Sequence, residues 1–343
     1  MFAWLFHEWE QRLASVTVDR TVRPFEWGLD WIPRNGFRPD TAPLAELQTF
    51  ADAALADSDA FFSAPRTDAY DLSPDGHLRF PSALVTPHPE NNVVHARLFA
   101  AAPASRWTRR HPRRAVLVLP QWNADADGHV GLCRLLAHFG MSALRLSLPY
   151  HDERMPGELT RADYIVSSNL GRTLQVCRQA VLDARRAIDW LASRGVERIG
   201  ILGTSLGSCL AMLTAAHEPR IRAAALNHVS PYFADVVWEG LSTAHVRRGL
   251  DGHVDLETLR RVWAPISPQF HLDRLRNTPS LLVYAKYDLT FPRQLSEDLV
   301  RSWRERGLPH EVAVLPCGHY SSGVSPFKWM DGYVLTKFLY RNL

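Results

Sequence analysis

Lysine is nearly missing from this chain. Of 343 residues only Lys286, Lys328 and Lys337 are lysine, so arginine supplies almost all of the 39 cationic side chains. These balance 36 acidic residues to a formal net charge of +3, and no dense basic stripe interleaved with aromatics occurs, which argues against nucleic acid as a partner. The pairs Arg109-Arg110 and Arg113-Arg114 flank Pro112 and read as a solvated turn before a strand. Cysteine is equally sparse: Cys133, Cys177, Cys209 and Cys317 stand far apart without C-x-x-C spacing, so no metal site is expected. Free thiols suit a reducing, cytoplasmic setting. No apolar run approaches the roughly 18 residues of a membrane span. The opening Met1-Phe-Ala-Trp-Leu-Phe-His-Glu-Trp-Glu lacks the basic start and the small-residue cleavage site of a secretory signal. Repeats and low-complexity segments are absent too. What is present, 46% hydrophobic and 22% charged residues, has the profile of a globular protein with a large core.

Phe2, Leu5, Phe6, Trp9 and Leu13 recur at helical spacing and form one apolar stripe. The spacing predicts an opening helix that packs on the main body, on a second subunit or peripherally on a membrane surface; Glu8 and Glu10 weigh against the membrane. Residues 1–77 read as an N-terminal extension with an alanine-rich helical stretch over 44–63. A hairpin-like pair of strands follows from residue 78, and then strand and helix alternate. Strands are expected over 115–119, 142–148, 199–202, 221–226, 280–285 and 312–315, with helices over 128–139, 172–193, 205–217 and 325–341. Such alternation implies an α/β fold with a mostly parallel sheet covered by helices on both faces. Between 226 and 280, patches over 232–249 and 255–263 predict a small helical cap inserted at about 229–275 in a domain spanning 78–343.

The chemistry concentrates at strand ends. Gly203-Thr204-Ser205-Leu206-Gly207 joins an apolar strand to a helix, the context a serine nucleophile elbow requires. Serine is a weak nucleophile and needs a base, and that base needs an acid to hold its tautomer. Asp288 follows the strand 280–285, and His319 follows the strand 312–315. The order Ser205, Asp288, His319, with gaps of 83 and 31 residues, is a known order for such a triad. Asp273 precedes its strand, Asp298 falls inside a helix, and His310 sits at the wrong strand end. The negative charge that develops on a carbonyl oxygen needs two N–H donors. One is expected from Leu206. The other should come from the loop after strand 115–119, where Trp122 is the positional choice and Gln121 or Asn123 the alternatives.

These motifs, with Tyr287-Asp288 and Gly318-His319, resemble the α/β-hydrolase superfamily over roughly residues 78–343. The usual His-Gly of the oxyanion loop is replaced by Pro120-Gln121-Trp122. The segment Leu148-Pro149-Tyr150-His151-Asp152-Glu153-Arg154-Met155-Pro156, with Phe25-Glu26-Trp27-Gly28, is similar to a group of abhydrolase-domain-containing proteins. The resemblance implies a serine hydrolase of carboxylic esters that is free of metal and cofactor and acts on a small-molecule, apolar or lipid-like substrate.

The segment 149–156 leaves a strand end beside the oxyanion loop, so Gln121, Tyr150, His151 and Arg154 are candidate substrate contacts. For Arg154 a loop brace to Asp152 or Glu153 is the competing expectation. An acyltransferase, a peptidase or a non-catalytic binding scaffold would share the same residues. A dehalogenase or epoxide hydrolase would carry aspartate at 205.

Overall fold

The computed structural model describes residues 3–33, 41–101 and 113–343; Phe2 of the expected stripe and Arg109-Arg110 lie outside them. The nine strands among the described residues are β1 (Asp71–Leu72), β2 (His77–Pro81), β3 (Val93–Phe99), β4 (Arg114–Leu119), β5 (Ser142–Leu146), β6 (Arg198–Thr204), β7 (Ile221–Asn227), β8 (Ser280–Ala285) and β9 (His310–Leu315). They form one sheet in the order β1-β2-β3-β5-β4-β6-β7-β8-β9. From β5 to β9 every pairing is parallel, while β1, β2 and β3 add an antiparallel flank. The fold is α/β, as the alternation implied.

The helices are α1 (Ala3–Ser15), α2 (Pro43–Ala56), α3 (Ser58–Phe61), α4 (Val130–His138), α5 (Leu170–Ser193), α6 (Leu206–His217), α7 (Phe233–Glu239), α8 (Ala244–Leu250), α9 (Leu256–Val262), α10 (Arg293–Glu305) and α11 (Phe327–Asn342). Strand β4 shows how the two faces are built. Ala115, Leu117 and Leu119 join a core with α5, α6 and α10, whereas Val116 and Val118 join a second core with α4 and α11. A strand buried on both faces has no polar side, so its sequence reads as an unbroken apolar run. Helix α5 buries Leu174, Cys177, Val181, Ala184, Ile188 and Leu191. It stops where Gly195 takes φ 78°, a conformation that glycine reaches without a Cβ clash.

Two predicted helices are broken. The stretch over 44–63 divides at Asp57, whose side chain accepts from the Ala60 amide and starts α3. The cap, between β7 and β8, turns at Gly240, where a Cβ would stand 2.5 Å from the Val236 carbonyl oxygen and 2.6 Å from that of Thr290. The Phe25-Glu26-Trp27-Gly28 segment docks on the start of α5. Leu170 N–H donates to Glu26 O, Gly171 N–H donates to Trp27 O, and Asn169 Nδ2 donates to the Glu26 carboxylate.

The 149–156 segment corrects an expectation. Arg154 is fully buried and does not face a substrate: it donates to Asn91 O at 2.8 Å, Ser147 O at 3.1 Å and Asp183 Oδ2 of α5 at 2.8 Å. Its brace is Asp183 and neither Asp152 nor Glu153, because Asp152 is taken by Arg145 at 3.0 Å. Tyr150 is buried too, with its amide on Asn91 Oδ1 and its hydroxyl against His88 Nδ1, each at 3.0 Å. Both side chains are spent inside the protein because the segment folds back under β3 and α5. Breaking a buried ion pair on one side strands the other charge, which costs about 3–5 kcal/mol. Arg154→Met is expected to lose that much stability in urea denaturation, and a loss under about 1 kcal/mol would contradict the role assigned to this pair.

Candidate active site

The turn from β6 into α6 is set by two close backbone approaches. A Cβ on Gly203 would lie 2.1 Å from Gly207 O, and one on Gly207 would lie 2.2 Å from Leu119 O. Only glycine fits either position, so the start of α6 presses against the end of β4. Ser205 absorbs the turn with φ 57° and ψ −121°, and its amide donates to Asn227 O at 2.8 Å. Such backbone strain costs on the order of 1–3 kcal/mol and persists where surrounding contacts over-determine it. Next to Ser205, Thr204 Oγ1 meets His129 Nε2 at 2.9 Å. Burial pushes His129 down to about 4, which keeps this brace uncharged at neutral pH.

Asp288 lies three residues past β8 and uses both oxygens. Oδ1 accepts the amides of Thr290 at 2.8 Å and Phe291 at 2.7 Å, fixing the turn. Oδ2 accepts from His319 Nδ1 at 3.1 Å. The structure therefore brings together the aspartate and histidine singled out in the sequence. Oδ2 also accepts from a second histidine, His228 Nδ1, at 2.8 Å. Burial opposes ionisation of Asp288, yet His319 and His228 hold its carboxyl well below the usual range. With its Nδ1–H on a carboxylate, neutral His319 leaves Nε2 as a bare acceptor. Its ring stacks on Phe291 at a centroid distance of 5.5 Å and an angle of 2°. Among the described residues, neither Ser205 Oγ nor His319 Nε2 holds a hydrogen-bond partner, so both remain uncommitted.

His228 was not among the sequence candidates. It stands directly after β7, one strand end from both Ser205 and Asp288, and that position was the signal that could have found it. It is one of fifteen histidines and falls outside the serine, acid, base order.

The loop after β4 is pinned at several points. Trp122 Nε1 donates to Ala162 O at 2.8 Å, Ala162 N–H donates to Asn123 Oδ1 at 2.7 Å, and Asn123 N–H donates to His151 Nε2 at 2.9 Å. That last bond removes Asn123 as an oxyanion donor. It also corrects the expectation for His151, which is buried, lies against Pro149 O through Nδ1 at 2.9 Å and supports the loop from behind. Burial pushes His151 down to about 4. The amides of Trp122 and Leu206 donate to nothing among the described residues. Trp122 also borders a cavity that Ser205, Leu206, Phe233, Val237 and Phe291 help to line. Every lining residue is uncharged, and Gln121 is not one of them. Of the cap tryptophans, Trp263 is buried with Nε1 on Leu170 O, so the cap contributes Phe233, Val236 and Val237 to the cavity instead.

Helix α1 reaches this site. Phe6 stacks on Tyr287 at 4.4 Å, and Phe6 and Trp9 meet Phe327, so the stripe packs on the main body while Trp4 and Leu5 stay exposed. The most buried residue of the helix is Glu10. Its carboxylate accepts the amides of Tyr320 and Ser321, each at 2.8 Å, immediately after His319.

Residues 99–320 match the dienelactone hydrolase family. No curated protein matched the sequence. Among solved structures, the chain is similar to an acetyl xylan esterase from Paenibacillus sp. R4, with 18% identity, a TM-score of 0.59 and coverage of 92% of this chain and 98% of that one. It is also similar to the acylaminoacyl peptidase of Pyrococcus horikoshii, with 15% identity and a TM-score of 0.60, covering 80% of this chain and 42% of that one. This chain thus spans less than half the length of that peptidase. An acetyl xylan esterase from Thermoanaerobacterium sp. JW/SL YS485 gives 14% identity, a TM-score of 0.57 and coverage of 89% and 95%.

Removing a buried acceptor leaves its donors unsatisfied at about 1–3 kcal/mol each. Glu10→Ala is therefore expected to destabilise the protein by about 2–4 kcal/mol in urea denaturation, with Glu10→Gln intermediate. Equal stability of all three proteins would show that α1 does not hold the His319 loop.

Proposed function

Since the chain belongs to the dienelactone hydrolase family, we propose that it is a serine hydrolase that cleaves carboxylic esters with an apolar acyl group. The observation that carries this reading is the cavity opening on Ser205, which has no charged lining residue and is walled by Trp122, Val166, Phe233, Val236, Val237 and Phe291, so it offers an acyl chain burial and an anionic group no cationic partner. In the reaction, His319 Nε2 takes the Ser205 proton as Oγ attacks the ester carbonyl. Asp288 holds His319 in the required tautomer and stabilises the imidazolium that forms. The charge on the carbonyl oxygen falls to the Leu206 and Trp122 amides, at on the order of 3 kcal/mol per donor. His319 then hands the proton to the leaving alcohol. Water, deprotonated by the same nitrogen, releases the acid from the acyl-enzyme.

A fluorophosphonate probe is expected to label the wild type and not Ser205→Ala, and kcat of that variant should fall at least roughly 10⁴-fold. Equal labelling of the two proteins, or an unlabelled wild type, would end the serine hydrolase reading. In an acyl-ester series, kcat/KM should climb from acetyl to medium chains, since each buried methylene contributes about 0.8 kcal/mol. Preference for acetyl would refute the apolar acyl site, and faster turnover of matched aminoacyl amides would make the protein a peptidase.

A further inference from the structure

We propose that His228 is a positioning residue for the acid of this site: a doubly protonated histidine that shares Asp288 with His319 and keeps His319 unprotonated. The argument is one of hydrogen-bond accounting. Asp288 Oδ2 is a carboxylate oxygen and can only accept, so His228 Nδ1, 2.8 Å away, carries a proton. On the other side, His228 Nε2 lies 3.2 Å from Ser322 Oγ. Ser322 has a single hydroxyl proton, and that proton is committed to His319 O at 2.6 Å. The Ser322 oxygen is left to accept, so Nε2 must donate as well. Both ring nitrogens of His228 then carry hydrogen, and the ring is a cation.

The surroundings fit a fixed buried charge. His228 is 1% exposed and held with φ 57°, its amide on Val283 O at 2.9 Å and its carbonyl oxygen accepting from Ser208 Oγ at 2.6 Å. The ionisable groups that face it come from three elements: Asp288 after β8, His319 after β9 and Asp331 on α11. Cys317 lies within electrostatic reach of Asp331, Glu10 and Asp288. Asp331 accepts from Asn227 Nδ2 at 2.8 Å and leaves Oδ1 without a partner. Burial pushes its carboxyl up to about 6, with the His228 charge working against that rise.

The consequence is electrostatic. One cation and one carboxylate balance, so a second proton on His319 would place two imidazolium rings 4.3 Å apart on a single carboxylate. Like charges so placed disfavour the second protonation. His319 therefore rests as the neutral base that the reaction needs.

The kinetic arm of the test rests on the hydrolase reading above; the spectroscopic arm does not. His228→Asn suits the left-handed backbone and keeps a donor for Asp288 while removing the charge. With the cation gone, Asp288 acts undiluted on His319 and favours its imidazolium. The acid limb of kcat/KM should then move up by about one pH unit or more, whatever the plateau height. An unmoved or lowered limb in an active variant overturns the proposal. If the variant does not fold, or if the wild type proves inactive, histidine-ring ¹H–¹⁵N correlation spectra of the wild type decide. At pH 8, where exposed histidines are neutral, one histidine should still show both ring nitrogens protonated. Finding none overturns the proposal.

Discussion

The contact between the start of α6 and the end of β4 is what the rest of the site depends on. With Gly207 lying where any Cβ would strike Leu119 O or Pro120 O, the start of the helix comes against the loop that carries Trp122. The same tight turn holds Ser205 at φ 57°. Ser205 is not alone. The non-glycine residues with positive φ among the described residues are Asn123, His129, Tyr150, Asp152, Ser205 and His228. All follow the carboxyl ends of β4, β5, β6 or β7. Strain is collected on the one edge of the sheet where ligands of such folds bind.

Strain of this kind lasts only if neighbouring contacts oppose its release. Here they come from behind the site. His129 holds Thr204, His151 holds Asn123, and Glu10 holds the turn after His319. The first two are histidines kept neutral by burial, which suits them to hydrogen bonding without adding charge near the serine. The third joins α1 to the site, giving the first helix of the chain a direct part in its geometry. On the Asp288 side, one carboxylate gathers four N–H donors.

Much of this was legible along the chain. Strand and helix periods gave the alternation of β4 through α11, because a strand buried on both faces and a helix buried on one leave distinct patterns. Ser205, Asp288 and His319 could be singled out as candidates because strand ends are marked by local sequence and the three occur in a known order, and the structure joins the last two. Helix breaks at Asp57 and Gly240 were not legible, since at Gly240 the reason is a carbonyl from Thr290, fifty residues away. Arg154 shows the same limit. A guanidinium beside two acidic neighbours suggests a local brace, yet its partner is Asp183, and nothing in the spacing of 154 and 183 reveals that pair.

By itself the sequence determined the order of elements, the elbow glycines and the candidate residues at the strand ends, because backbone sterics and side-chain periodicity act over a few neighbours. The tertiary structure alone decided how those side chains are used. It turned Tyr150, His151 and Arg154 inward as supports, brought Glu10 to the His319 loop and set His228 on Asp288. Each of these depends on distances between segments far apart in the chain. Burial, and with it protonation and hydrogen-bond commitment, exists only after those segments have packed.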